Sequence, residues 1–270
     1  NVTRGRVTAR LRAGHSACAP VLSPDGQTLF VCNRFNNDVS VFDLAARKEI
    51  RRVGVRREPV AAAITRDGRR LLVANHLHAG RADVEHVGAV VSVIDTAQGR
   101  VVDELWLPGG SGLLNDLCIS PEGRHAVVTH ILARFHLPTT QLERGWMNTN
   151  AKTLIDLERM EVVNTVLLDT VDRGAANPWG AAWSADGRKL VVALAGTHEI
   201  SVTDFPALVE KLARLAPVSE PAAGGAYPAG VSRGSSDVPN DLSTLVGLRE
   251  RRALPAGDLG PRGVLVVGRV

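Results

Sequence analysis

Ser23-Pro24-Asp25-Gly26-Gln27-Thr28-Leu29-Phe30-Val31-Cys32-Asn33, followed shortly by Val39-Ser40-Val41-Phe42-Asp43-Leu44, is a phrase the chain repeats. A Ser/Thr-x-Asp/Glu-Gly turn leads into an apolar run, and a second apolar run ends in Asp. The turn recurs at Thr65-Arg66-Asp67-Gly68, Ser120-Pro121-Glu122-Gly123 and Ser184-Ala185-Asp186-Gly187. The second run recurs at Val91–Thr96, Thr153–Leu157 and Ile200–Phe205. Each turn reads as a tight hairpin with glycine in the left-handed position. Short Val/Ile/Leu-rich strands at regular spacing between turns predict an all-β fold of four-stranded antiparallel blades, a β-propeller.

The pattern places the inner strands at Ala17–Leu22, Val60–Ile64, Asn115–Ile119 and Gly180–Trp183. Arg6–Ala13 reads as the outer strand of a preceding blade and Gly263–Val270 as the inner strand of a fifth. About four and a half blades are thus present, an incomplete ring or part of a seven-bladed one. Residues 1–209 form blades 1 to 4, and 210–247 hold a helix and a Pro/Gly/Ser-rich insert. Residues 248–270 supply the outer strand of blade 4 and the start of the next blade. Helical spacing of Leu208, Val209, Leu212 and Leu215 after Pro206 predicts a helix over Pro206–Ala216.

Composition narrows the function classes. No run reaches the roughly 18 apolar residues of a membrane span. The net charge is +4, and four of the 32 basic residues are Lys. With only ten aromatic residues, the chain is a poor base-stacking surface, and no nucleic-acid partner is expected. There is no Cys-x-x-Cys-His, so no covalent c-type haem is expected on these residues. The first residue is Asn and no signal peptide is visible, which predicts a processed or excerpted chain.

From the turn acid to the third-strand Asp, blades 1 and 4 take 18 residues, blade 2 takes 28 and blade 3 takes 34. The surplus lies between second and third strands. Alternating strand direction puts those loops on the same face as the blade connections. That face is the expected working face. Seven of the eight histidines map there, all but His125. His76 and His78, with His130 in the next blade, could bind a transition metal or meet a partner's cofactor; the alternative is that they hold long loops together. Trp146 could be a partner contact or a plug for its loop. Gly230-Val231-Ser232-Arg233-Gly234 matches a nucleophile elbow but lacks the flanking strand and helix. Cys18 faces Cys32 across the first hairpin. A disulfide is possible if the pair avoids the hydrogen-bonded register, and two buried thiols are the alternative.

The three phrases beginning Ser23, Thr65 and Ser184 resemble YVTN-type propeller repeats, related to the cytochrome d1, amine dehydrogenase heavy-chain and lactonase-like group. The blade 3 insert, His130–Asn150, resembles the propeller portion of exported bacterial proteins in which propellers accompany di-haem, peroxidase-like cytochrome domains. The resemblance implies a non-catalytic scaffold, periplasmic or extracellular, facing a partner protein or adjacent domain such as a c-type cytochrome. Arg34, His76, His78, His130, His136, Arg144 and Trp146 would be its contacts. The rival is a lactonase-like or metal-dependent enzyme with a site at the central channel of that face; a bare surface or adhesion repeat is a third reading.

Overall fold

The structure, a computed structural model, describes residues 5–135, 146–215, 234–235 and 237–267. Four sheets follow one another along the chain, each antiparallel and four-stranded. Blade 1 is β1 (Ala17–Leu22), β2 (Thr28–Asn33), β3 (Asp38–Asp43) and β4 (Lys48–Gly54). Blade 2 is β5 (Arg57–Ile64), β6 (Arg70–Leu77), β7 (Val90–Asp95) and β8 (Arg100–Trp106). Blade 3 is β9 (Ser111–Ile119), β10 (His125–Ala133), β11 (Asn148–Asp156) and β12 (Glu161–Leu167). Blade 4 is β13 (Pro178–Trp183), β14 (Lys189–Leu194) and β15 (Glu199–Asp204), and its outer strand β16 (Arg249–Ala253) arrives after a helix and the insert.

The sheets stack face to face, so their middle strands are buried on both sides. Along β6, Leu71 and Val73 point to blade 1 and join Phe30, Val41 and Val53. Leu72 and Ala74 point the other way and join Leu117, Ala126 and Ile155 of blade 3. All four β6 residues are fully buried. Removing such a side chain from water is worth about 1.5–3 kcal/mol, which explains runs that are apolar throughout rather than alternating.

A shared apolar core lies between blades 3 and 4. Helix α1 (Phe205–Ala213) fills it with Phe205, Leu208 and Leu212. Asp204 caps that helix by accepting from the Ala207 N–H at 3.2 Å, and Pro206 sits in its first turn. Within the described residues, no helix is long and apolar enough to cross a membrane.

Two expectations change in detail. Cys18 does face Cys32, but the cysteines are thiols. Ser16 C=O accepts from Arg34 N–H at 3.3 Å. By the two-residue alternation Cys18–Cys32 is then also a hydrogen-bonded pair, the register in which no bridge was expected. Cys18 Sγ instead lies 3.6 Å from the Pro59 carbonyl. At the termini, Arg6–Ala13 joins none of the four sheets. Residues 263–267 form no ladder, and 268–270 lie outside the described residues.

Candidate functional site

The long loops do share one rim, and Gly110 shows it. Its N–H donates to Val87 C=O in the blade 2 loop at 2.7 Å, and its carbonyl accepts from Ala133 N–H at the start of the blade 3 loop at 2.9 Å. Gly110 has φ +90, and a Cβ there would stand 1.9 Å from the Ala133 carbonyl oxygen. Only glycine fits this junction of two loops and a blade connection.

The histidines are mostly engaged with backbone. His76 Nδ1 meets Leu114 C=O at 2.7 Å, and His78 Nδ1 meets Gly88 C=O at 2.9 Å. His78 Nε2 meets Arg81 C=O at 3.0 Å, and His86 Nε2 meets Leu107 C=O at 2.9 Å. These contacts tie the blade 2 loop to itself and to the next connection. Among the described residues, no three His, Cys, Asp or Glu side chains are grouped so as to hold a metal ion.

His130 has a different job, visible when the blades are aligned. It occupies on β10 the place of Asn33 on β2 and Asn75 on β6. Asn33 Nδ2 donates to Ser40 Oγ at 2.7 Å and Asn75 Nδ2 to Ser92 Oγ at 3.0 Å, each diagonally across to the third strand. His130 Nε2 meets Thr153 Oγ1 at 2.8 Å in the same position. Its Nδ1 faces Ile131 C=O at 3.2 Å, a partner that only accepts, so the ring is neutral with the proton on Nδ1. Full burial pushes it down to about 4. In blade 4 the matching residue is Leu194, and the Ser201 hydroxyl opposite finds no hydrogen-bond partner among the described residues.

A second repeated contact joins successive blades. The residue just before or at the start of the third strand accepts, with its side chain, an N–H from the left-handed residue that opens the next inner strand. Asn37 Oδ1 accepts from Glu58 at 2.8 Å, and Asn150 Oδ1 from Asn177 at 3.0 Å. The third copy is His198 Nδ1, accepting from Gly260 at 2.9 Å. Arg34 reinforces the first of these joints by donating from Nε and Nη2 to Glu58 Oε2 at 3.1 and 2.9 Å.

His136 and Arg144 lie outside the described residues. Trp146 is tied by its indole N–H to Thr170 C=O at 3.2 Å yet is 43% exposed. Around it Met147 is 53%, Phe135 67% and Val171 66% exposed. Phe35 of blade 1, 55% exposed, stands on the same rim. Sequence reading named Trp146 and missed Phe35, Phe135 and Val171, which look like ordinary strand residues until their loops are placed.

Beneath this rim, between blades 3 and 4, Lys152 is buried with its ammonium on Thr203 Oγ1 at 2.7 Å. Burial, with the nearby Arg249 charge, pushes it down to about 7. The described cavities lie at the opposite face, among the Asp-Gly turns. One of about 410 Å³ is lined by Arg66, Arg70, Glu122 and Met160. Another of about 400 Å³ is lined by Pro24, Phe30, Ile50 and Ile94.

These features define a β-propeller module with an insertion-rich, partly apolar rim. No family model matches the chain. It is similar to hydrazine synthase subunit beta of Kuenenia stuttgartiensis, with 28% identity over 173 residues, 63% of this chain. The chain spans only 42% of that protein's length. A solved structure of Kuenenia stuttgartiensis hydrazine synthase matches with a TM-score of 0.59 and 21% identity, over 97% of this chain and 80% of that one. At that identity the structural likeness establishes the fold.

Two measurements check this geometry. Gly110→Ala should lower unfolding free energy by about 1–3 kcal/mol in a urea titration. Gly112→Ala, where a Cβ meets nothing within 4 Å, should change little. His130 binds its proton less readily folded than unfolded, so its contribution is full above about pH 6.5 and is lost as pH falls toward 4. The difference is on the order of 3 kcal/mol. His130→Asn, which restores the residue of blades 1 and 2, should flatten the pH dependence of urea stability in that window while keeping the Thr153 bond.

Proposed function

We propose that this chain is a non-catalytic scaffold that docks its loop-rich rim on a partner protein or adjacent domain. The observation that carries the reading is the exposed Trp146, Met147, Phe135 and Val171 group beside tightly bonded loops. Large apolar side chains held out by a rigid base are the usual anchors of a protein interface. Similarity to a protein named as a subunit supports a role within an assembly. The propeller resemblance supports a YVTN-type module of an exported, periplasmic protein, and a c-type cytochrome as the partner. Arg34 belongs on the supporting side of this rim, since it braces Glu58 and the Phe35 loop, with its guanidinium 5.3 Å from the Phe35 ring centre. His76 ties β6 to Leu114 of β9, and His78 shapes the blade 2 loop from within.

The test is co-purification of the tagged, exported protein with its native partners, followed by haem absorbance. The wild type should elute with stoichiometric c-type haem, and Trp146→Ala with Met147→Ala should lower that haem at least tenfold. Haem-free elution of the wild type, or full retention by the double variant, would contradict the reading.

A further inference from the structure

The clasp between successive blades is built from Asn37, Asn150 and His198, three acceptors in one structural position. The equivalence rests on more than the side-chain bond. The carbonyls of Asn37, Asn150 and His198 accept in turn from Val55, Leu168 and Leu254 N–H at 2.9, 2.7 and 2.9 Å. The N–H groups that the side chains capture belong to Glu58, Asn177 and Gly260, whose φ values are 55, 55 and 58. Glu58, Asn177 and Gly260 are each followed by proline. Gly260-Pro261 therefore opens a strand-like path equivalent to β5 and β13. Gly180 N–H donates to Arg262 C=O at 3.0 Å, fixing that path against the inner strand of blade 4.

An amide oxygen accepts a hydrogen bond at any ordinary pH. An imidazole nitrogen accepts only while it lacks a proton. We propose that His198 is a pH-sensitive clasp: neutral, its ring holds the Gly260 joint of the Leu254–Arg262 connection against blade 4, and protonated it loosens that joint while the backbone bonds at Leu254 and Arg262 remain. Protonated Nδ1 presents an N–H to the Gly260 N–H, and the bond is lost. Imidazole is the side chain whose charge changes between about pH 5 and 8, so the clasp is closed at the alkaline end and opens as pH falls.

Charged groups lie on the elements around His198. Glu199, next to it on β15, is buried and held by Arg173 and Arg251. Glu250 and Arg252 on β16 pair with one another at 2.9 Å. In the clasped connection the charged groups are Asp258 and Arg262, and the Arg262 guanidinium lies 4.8 Å from the Trp179 ring centre. Blades 1 and 3 make the same joint with asparagine and are internal controls. The inference is independent of what the rim docks.

The test is amide hydrogen exchange on the whole protein, with Gly260, Glu58 and Asn177 read in one experiment and corrected for intrinsic rates. Between pH 8 and pH 5 the protection of Gly260 should fall about fivefold, the worth of one such bond, while Glu58 and Asn177 stay level. His198→Asn should keep Gly260 protected at both pH values, and His198→Ala should leave it weakly protected at both. Flat protection of Gly260 in the wild type, or a pH dependence that survives His198→Asn, would overturn the proposal.

Discussion

Stacking one sheet on the next buries both faces of the middle strands, and the rest of the molecule answers to that constraint. Leu71 and Leu72 are adjacent in sequence and point to opposite neighbours, yet neither meets water. Under two-sided burial any polar atom inside a blade needs a partner. Blades 1, 2 and 3 solve this with the same diagonal bond, from Asn33, Asn75 and His130 to a hydroxyl on the third strand. Blade 4 has Leu194 in that place, and the Ser201 hydroxyl finds no partner among the described residues. A buried polar group without a partner costs about 1–3 kcal/mol, a cost that the Ser201 hydroxyl of blade 4 shares with Asn75 Oδ1 of blade 2.

The same constraint separates scaffold from rim. Turns at the Asp-Gly end are nearly identical, each closed by a Ser or Thr hydroxyl and an aspartate or glutamate. At the other end the loops differ in length and content, and their internal bonds are unique. Gly110 couples the two longest loops, so a change in either is felt by the other. The apolar side chains raised there stay largely exposed. Two cavities at the turn end are lined by the repeat's own turn residues together with strand residues such as Phe30 and Ile94.

Much of this was legible in the sequence. Strand order, the late arrival of β16, the helix after β15 and the shared rim all follow from a repeat whose spacing is interrupted in three places. Helix α1 begins one residue before the expected Pro206 because Asp204 is both the end of β15 and the cap. The function of His130 was not legible from its residue type. A histidine in a loop-rich blade suggests a ligand, whereas alignment against Asn33 and Asn75 shows a substitute for asparagine. The clasps left a fainter signal: Asn37, Asn150 and His198 share their spacing before the third-strand Asp43, Asp156 and Asp204 but differ in residue type. Cys18 and Cys32 do stand opposite each other, whereas the hydrogen-bonded register of that pair is invisible in sequence.

The central claim is that the insertion-rich rim, rather than the turn end, is the face used in assembly. Hydrogen–deuterium exchange of the protein alone and in its native assembly tests it most directly. The account predicts added protection over Gly80–Gly88, Arg134–Phe135, Trp146–Asn148 and Thr170–Arg173, with the turns at Asp25–Gly26, Asp67–Gly68 and Asp186–Gly187 unchanged. Protection gained at those turns, with the rim still exchanging freely, would contradict it.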